Sequence, residues 1–371
     1  MVTRADLDFS EAVDYHYGEF PPKKLDYERL APSMTSATAA LAKYDALLNT
    51  LHNSQVLLAP LRRREAVISS RIEGTIATLE EVLKYEAEED NQVRQEIIEV
   101  VSYSRAMGKA QHLMEEGLPL SGRLLRDTHS NLLFFGRGAD KQPGVFKSEQ
   151  NYIADKNSHK ILFTPCNVGK LEECFSIFEK FMNVEHQIPL VQTALCHAEF
   201  EAIHPFKDGN GRLGRMLITL MLWNKNLIEV PHFYVSSCIE QSRDEYISRL
   251  RAVSANGEWT QWCEFFFRII SRQAEENAQI AQSFNDLYEE MKNSFREVTA
   301  SQWSINALDF IFARPIFRNS AFTNHGKIPK QTAHRITSLL AKEGLLSLLE
   351  KPSGRRSALY AFEPLLGITR A

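Results

Sequence analysis

The densest chemistry in this chain lies in twelve residues, 204–215, which read HPFKDGNGRLGR. They set a base, a carboxylate, a flexible loop and two guanidinium groups side by side. Gly209 and Gly211, with Asn210 between them, can turn sharply, because glycine and to a lesser degree asparagine accept positive φ. Such a turn at a helix start points several backbone N–H groups at one spot, which makes an anion cradle. Arg212 and Arg215 fall three apart on one face of the helix expected over 212–224, where both can grip phosphate oxygens. Asp208 flanks the cradle, and one carboxylate there can hold a Mg²⁺ whose other ligands are phosphate oxygens and water. His204 stands four residues earlier, in reach of a proton on a hydroxyl attacking that phosphate. The set suits a nucleotide triphosphate.

A rival chemistry uses the same histidine. His197, Glu201 and His204 recur at i, i+4 and i+7 on one expected helix, a spacing that could hold zinc. A Gly-Asn-Gly turn and two arginines serve no purpose at a zinc site, so phosphate is the stronger reading. The turn taken alone would be an ordinary loop between helices.

The elements that must position these groups are mostly helical. At 371 residues the chain is too long for one ordinary core. Its 44% hydrophobic and 24% charged content is that of a soluble globular protein. No run of 18 apolar residues and no apolar signal core at the start are present, so a cytoplasmic protein without membrane partners is expected. Cys166, Cys174, Cys196, Cys238 and Cys263 form no CxxC pair and read as reduced, buried thiols. Residues 1–35 are polar and broken by Pro21, Pro22 and Pro32, an irregular arm. From 36 to 116 the apolar spacing is helical, interrupted at Pro60 and Gly74. Thr78 and Glu81 look like a capping box. Residues 141–165 change character, with β-like pieces at 145–147, 151–153 and 161–163 that suggest a small hairpin. Helices resume at 168–185, 189–203 and 240–295.

The pattern HxFx(D/E)GNGRxxR is matched without a departure, and with it the chain resembles the Fic (filamentation induced by cAMP) domain family across roughly residues 70–270. The hairpin at 144–153 is similar to that family's substrate-positioning flap, and segment 242–246 (SRDEY) to the segment that closes over adenine. The resemblance implies a mainly α fold, an all-helical domain with a small β-hairpin flap. It implies transfer of AMP from ATP to a Ser, Thr or Tyr hydroxyl of a target protein or of the chain itself. His204 would deprotonate that hydroxyl, Phe206 would anchor the loop in the core, and Asp208 would hold Mg²⁺. Nucleotide contacts would run through Lys207, Asp208, Gly209, Asn210, Gly211, Arg212, Leu213, Gly214 and Arg215, with Ile153 from the flap and Tyr246 at adenine. Arg212 would hold the β-phosphate and Arg215 the γ-phosphate. The family often carries two adjacent tyrosines at the adenine segment; here the pair is Tyr246-Ile247, so only the first is matched.

Residues 69–74 (SSRIEG) resemble the family's inhibitory motif, (S/T)xxxE(G/N). Ser69, Glu73 and Gly74 match it. In that scheme Glu73 pairs with Arg215 and denies it to the γ-phosphate, so ATP binds with its α-phosphate misaligned. The plain alternative is a helix end with a C′ glycine.

The last seventy-one residues carry a different charge. Residues 301–371 hold ten Lys/Arg and four Asp/Glu, a net +6 on a chain whose total is −4. The order helix (304–313), short helix (317–323), helix (330–343), Gly344 and two strands (345–349 and 358–362) is that of a winged helix-turn-helix. Gln331, Thr332, His334 and Arg335 are expected on the exposed face of its third helix, with Arg355 and Arg356 on the wing. DNA or protein docking through 301–371 follows from that charge, and a homodimer is compatible with so much helical surface. The expected domains are therefore an N-terminal helical region (1–110, with the inhibitory helix at about 61–74), a Fic catalytic domain (111–295) and a winged helix (300–371). Two alternatives to the transferase remain open on sequence alone: a nucleotide-sensing, DNA-binding regulator, and an enzyme that removes AMP with Glu73 positioning water.

Overall fold

The structure, a computed structural model, describes residues 8–51, 56, 58–87, 94–136, 138–155, 160–354 and 356–370. In chain order its elements begin with β1 (Val13–Asp14), α1 (Tyr27–Thr50), α2 (Ala59–Ile72), α3 (Leu79–Ala87), α4 (Gln95–Glu115) and α5 (Gly122–Leu132). Then follow β2 (Ile153–Ala154), β3 (Ile161–Thr164), α6 (Leu171–Asn183), α7 (Pro189–Ile203), α8 (Asn210–Asn224), α9 (Ser236–Gln241) and α10 (Arg243–Asn256). The chain ends with α11 (Trp259–Thr299), α12 (Ser304–Ala313), β4 (Ile316–Arg318), α13 (Asn319–His325), α14 (Lys330–Lys342), β5 (Ser347–Glu350), β6 (Leu359–Ala361) and α15 (Glu363–Arg370). The fold is mainly α with two small sheets, and it divides into two compact units. One comprises residues 1–42 and 102–274, the other residues 43–101 and 275–371.

The first unit is built around α7. Its sequence is apolar on every side, and almost every residue from Leu190 to Ile203 is buried. A helix buried all round must satisfy its polar groups internally. Gln192 does so by donating to the carbonyls of Phe181 (2.6 Å) and Val184 (2.9 Å), where α6 ends. Glu199 accepts from the Tyr15 hydroxyl (2.5 Å) and from His16 Nε2 (2.9 Å), so the N-terminal arm is tied to the central helix. Trp262 of α11 donates its indole N–H to the Ala194 carbonyl at 2.8 Å. Helix α8 lies along α7 with Leu213, Met216, Leu217, Leu220 and Met221 buried between them.

Four details differ from the sequence expectation. Residues 8–35 are not an irregular arm throughout: α1 starts at Tyr27 and runs through Pro32. Proline removes one backbone bond there, but Leu30, Ala37, Leu41 and Tyr44 of the same helix are buried, which holds the helix across it. Val13–Asp14 adds a parallel strand to β3, giving the order β1-β3-β2. Residues 145–147 form no strand, because the Lys147 N–H is spent on the Pro205 carbonyl at 2.8 Å. The helical stretch expected over 240–295 is three helices, interrupted at Gly257, whose φ of +67° closes α10. All five cysteines are buried and free.

In the second unit α2 begins with Pro60 in its first turn and ends in a Schellman turn. Gly74, at φ +95°, donates to the Arg71 carbonyl (2.8 Å) and Thr75 to the Ser70 carbonyl (3.0 Å). Four residues after Gly74 the capping box of α3 is in place. Glu81 N–H donates to Thr78 Oγ1 (3.2 Å), and Thr78 N–H to Glu81 Oε2 (2.8 Å). Leu83 of α3 sits in one apolar cluster with Ile316, Leu359, Ala361 and Leu366. The sheet there has the antiparallel order β4-β6-β5, with Ile316 opposite Ala361 and Leu348 opposite Tyr360. Residues 43–101 thus share a core with a segment more than two hundred positions away in sequence. Of the wing residues, Arg356 is exposed and Arg355 lies outside the described residues.

Loss of an N-cap typically costs about 1 kcal/mol, so Thr78→Ala should lower the unfolding free energy by that much, read as a lower urea midpoint. An unchanged midpoint would show that the capping box does not hold α3.

Candidate functional site

The loop from His204 to Asn210 is held from three sides. Helix α7 ends at His204, which adopts a left-handed conformation (φ 48°, ψ 61°) and bonds its N–H to the Phe200 carbonyl at 3.0 Å. Its Nδ1 lies 3.3 Å from the Glu201 carbonyl. A carbonyl can only accept, so Nδ1 carries the proton and Nε2 is the basic nitrogen. Asn210, the first residue of α8, closes the loop by a reciprocal pair. Its Oδ1 accepts from the Phe206 N–H (2.9 Å) and its Nδ2 donates to the Phe206 carbonyl (2.8 Å). Asn151, just before β2, donates to the carbonyls of His204 (3.2 Å) and Phe206 (3.0 Å). The flap that carries Ile153 is therefore anchored to the loop it flanks.

Two further side chains complete the clamp, and sequence reasoning missed both. Lys147 is buried and donates to the Ile203 carbonyl (3.1 Å) and to Asn151 Oδ1 (2.8 Å). Burial lowers its pKa to about 8. His129 of α5 accepts from the Gly144 N–H at Nδ1 (2.8 Å), so its Nε2 donates to the Asp208 carbonyl (2.9 Å). Its ring stacks on Phe206 at 3.8 Å between centroids. Burial lowers its pKa to about 4, so the ring is neutral. Neither residue belongs to a motif; each is recognisable only once 129, 147 and 204–208 are folded together.

The helix start is built for close approach. Gly209 caps α8 at φ +77°, a region that suits glycine. Its N–H donates to Asp208 Oδ1 at 2.6 Å. Arg212 and Arg215 are almost completely buried, at 1% and 2% exposure, on the first two turns of α8. Arg212 lies 3.6 Å from Asp208 Oδ1. Gly214 sits against Glu201 of α7, where a Cβ would run into the carboxylate. Its carbonyl accepts from His197 Nδ1 at 3.1 Å, and His197 Nε2 accepts from the Tyr246 hydroxyl at 2.9 Å. His197 is thus engaged at both ring nitrogens, and burial together with Arg215 lowers its pKa to about 3. No group of three metal-ligating side chains occurs among the described residues, so the i, i+4, i+7 spacing does not assemble a zinc site there.

The structure brings His204, Phe206, Lys207, Asp208, Gly209, Asn210, Gly211, Arg212, Leu213, Gly214 and Arg215 into one loop and helix start. Lys207 lies 3.7 Å from Glu149 Oε2. Tyr246, on α10, connects through His197 to Gly214. Ser69, Glu73 and Gly74 belong to the other unit, where Ser69 is fully buried and Glu73 is the C-cap of α2.

Comparison with known proteins bears on the same segments. Residues 31–112 match the Fic/DOC family N-terminal model and residues 119–222 the Fic/DOC family model. A probable protein adenylyltransferase of Aquifex aeolicus is 25% identical over 197 residues, covering 52% of this chain and 54% of that protein. Protein adenylyltransferase Fic of Drosophila melanogaster is 26% identical over 191 residues, covering 49% and 37%. The chain thus spans about half, or less, of the length of these relatives. Among solved structures, a Fic family protein from Desulfovibrio desulfuricans G20 superposes with a TM-score of 0.59 at 20% identity, covering 92% of this chain and 98% of that one. Fic-1 (134–508) of C. elegans gives 0.53 at 18% identity, covering 69% and 73%. These likenesses establish the fold.

The clamp has a pH signature. His129 is neutral when folded down to about pH 4, whereas an unfolded histidine takes a proton near pH 6.5. Its contribution is complete above pH 6.5 and is lost as the pH falls from there towards 4, by up to about 3 kcal/mol. The urea midpoint should fall over that window, and His129→Gln should flatten part of the fall; an equal slope in both proteins would contradict it.

Proposed function

With Fic/DOC family domains at residues 31–112 and 119–222 as the premise, we propose that the protein is an adenylyltransferase that moves AMP from ATP to Ser, Thr or Tyr hydroxyls of target proteins and of itself. The observation that carries this reading is the arrangement at 204–215. A histidine with a basic Nε2 precedes a helix N-terminus that also buries two arginines.

In this reading Nε2 of His204 takes the proton of the target hydroxyl. The freed oxygen attacks the α-phosphorus, a new P–O bond forms, and the bond between the α-phosphorus and the bridging oxygen breaks. Pyrophosphate leaves and AMP remains on the target. The N–H groups of Asn210 and Gly211 at the start of α8 face charge on the phosphates, as helix N-termini do, while that of Gly209 is held by Asp208. Arg212 and Arg215 neutralise the β- and γ-phosphates, and being buried they act in a low dielectric where such contacts are strong. Asp208 fits as the single protein ligand of a Mg²⁺: its side chain is about one-third exposed, at 32%, beside the helix start, and no protein-only cage is required when phosphates supply the other oxygens. The bound ion would supply charge neutralisation on the departing pyrophosphate. Ile153 and the flap anchored by Asn151 would align the target backbone.

Glu73 is the brake in this reading. What supports it is the match of Ser69, Glu73 and Gly74 to the inhibitory motif; the Schellman turn at Gly74 is by itself that of a plain helix end. The basic C-terminal segment would be a winged helix that docks duplex DNA or protein through Gln331, Thr332, His334 and Arg335 of α14, of which Thr332 is half-buried and the others exposed. A cytoplasmic site of action agrees with a supply of ATP, and no helix among the described residues is long and apolar enough to cross a membrane.

Removing a general base costs about 10²–10⁴-fold in rate. His204→Ala should therefore lose AMP transfer from labelled ATP by that factor, and Glu73→Gly should raise transfer above wild type. Intact-mass analysis reads self-modification as the gain of one AMP. No mass gain from Glu73→Gly with ATP and Mg²⁺, even with candidate targets present, would favour a nucleotide sensor instead.

A further inference from the structure

The inhibitory segment and the basic C-terminal segment occupy opposite ends of the sequence, yet they form one core. Leu83 of α3 is 2% exposed in a cluster with Ile316 and Leu359 of the sheet and Leu366 of α15. Leu79 and Ala87 of α3 pack partly against the same cluster. Helix α2, which ends at Glu73, packs on α12 and α15 as well as on α3. One side chain joins all three parts by polar contacts. Arg63 of α2 donates from Nε to Glu86 of α3 (2.5 Å) and from a terminal nitrogen to the Ala313 carbonyl at the end of α12 (3.1 Å). Its side chain is only 17% exposed, so the contact is shielded from solvent. At the far end of α3, Arg370 reaches Glu80 at 3.2 Å.

The six residues between α2 and α3 are pinned at both ends, by the Schellman turn at Gly74 and by the capping box at Thr78. Such a connection transmits displacement instead of absorbing it. A shift of α3 in its apolar cluster therefore re-aims the end of α2, and with it Glu73.

From these contacts we infer that Arg63 and Leu83 are positioning residues for the brake: they hold the helix that presents Glu73 on the C-terminal module, so that the packing of that module sets the rate of AMP transfer. This rests on the reading of Glu73 as inhibitory. It adds a source for relief of inhibition, since any ligand that loosens α3 from the sheet β4-β6-β5 releases the brake. Within residues 310–342, Arg314, Lys327, Lys330, Arg335 and Lys342 are exposed, whereas Arg318 is buried against Glu350, so an anionic ligand has a surface on that module from which to act.

The test is AMP transfer from labelled ATP with Arg63→Gln and Leu83→Ala, each made alone and in the Glu73→Gly protein. A lost polar or apolar contact shifts a two-state balance by roughly three- to tenfold. Each variant should raise transfer by about that factor in the otherwise wild-type chain and add nothing to Glu73→Gly. General damage to the fold would lower transfer in both backgrounds instead. If Glu73→Gly raises transfer while Arg63→Gln and Leu83→Ala leave it unchanged or lower it, the inference is wrong and the brake stands. If Glu73→Gly raises nothing, the brake and the inference fall together. Should Leu83→Ala fail to fold, as read by loss of helical circular dichroism, Arg63→Gln alone decides the matter, because it removes no core volume.

Discussion

Two guanidinium groups buried on the first turns of α8 set the terms for the first unit. A charge taken out of water is costly unless anions and hydrogen bonds surround it. Arg212 and Arg215 are only 1% and 2% exposed, so they place two positive charges inside the unit. Their field also reaches the neighbouring imidazoles. His197 next to Arg215 and His129 near Arg212 are both held neutral, by burial first and by the arginines in addition. A neutral imidazole offers one donor and one acceptor, and both rings use the pair to bridge backbone groups across elements. His197 joins Tyr246 to Gly214, and His129 joins Gly144 to Asp208. The arginines are thus part of the reason that these histidines are braces and not bases.

The ring of His204 is placed differently from those two. His204 gives its Nδ1–H to a carbonyl of its own helix, and the loop that follows is clamped by Asn210, Asn151 and Lys147. The clamp is mostly side chain to backbone, which fixes the path of the chain.

How much of this was legible in the sequence depended on range. The loop at 204–215, the capping box at Thr78 and Glu81 and the glycine that ends α2 are local signals, and each is found where its residues place it. After Ser304 the expected helices and two strands are joined by β4 (Ile316–Arg318) and α15 (Glu363–Arg370), neither of them expected, and the short helix begins at Asn319. Contacts between distant segments left no such trace. Nothing in Val13–Asp14 announces a parallel partner in β3, and nothing in Leu83 announces Ile316. The expected strand at 145–147 failed because a loop carbonyl took its N–H. Helix α1 ran through Pro32 because burial outweighed one missing bond. Lys147 and His129 escaped notice for the same reason, since a lone lysine or histidine acquires meaning only from what folds around it.

The left-handed backbone of His204 has a consequence for descent. A residue with a Cβ at φ 48° is less stable there than glycine or asparagine would be, by about 1 kcal/mol. A lineage that needs the imidazole must keep this penalty, whereas one that has abandoned the chemistry gains stability by losing it. Degenerate copies of this protein should therefore drift first at position 204, towards glycine or asparagine, while the clamp around it persists.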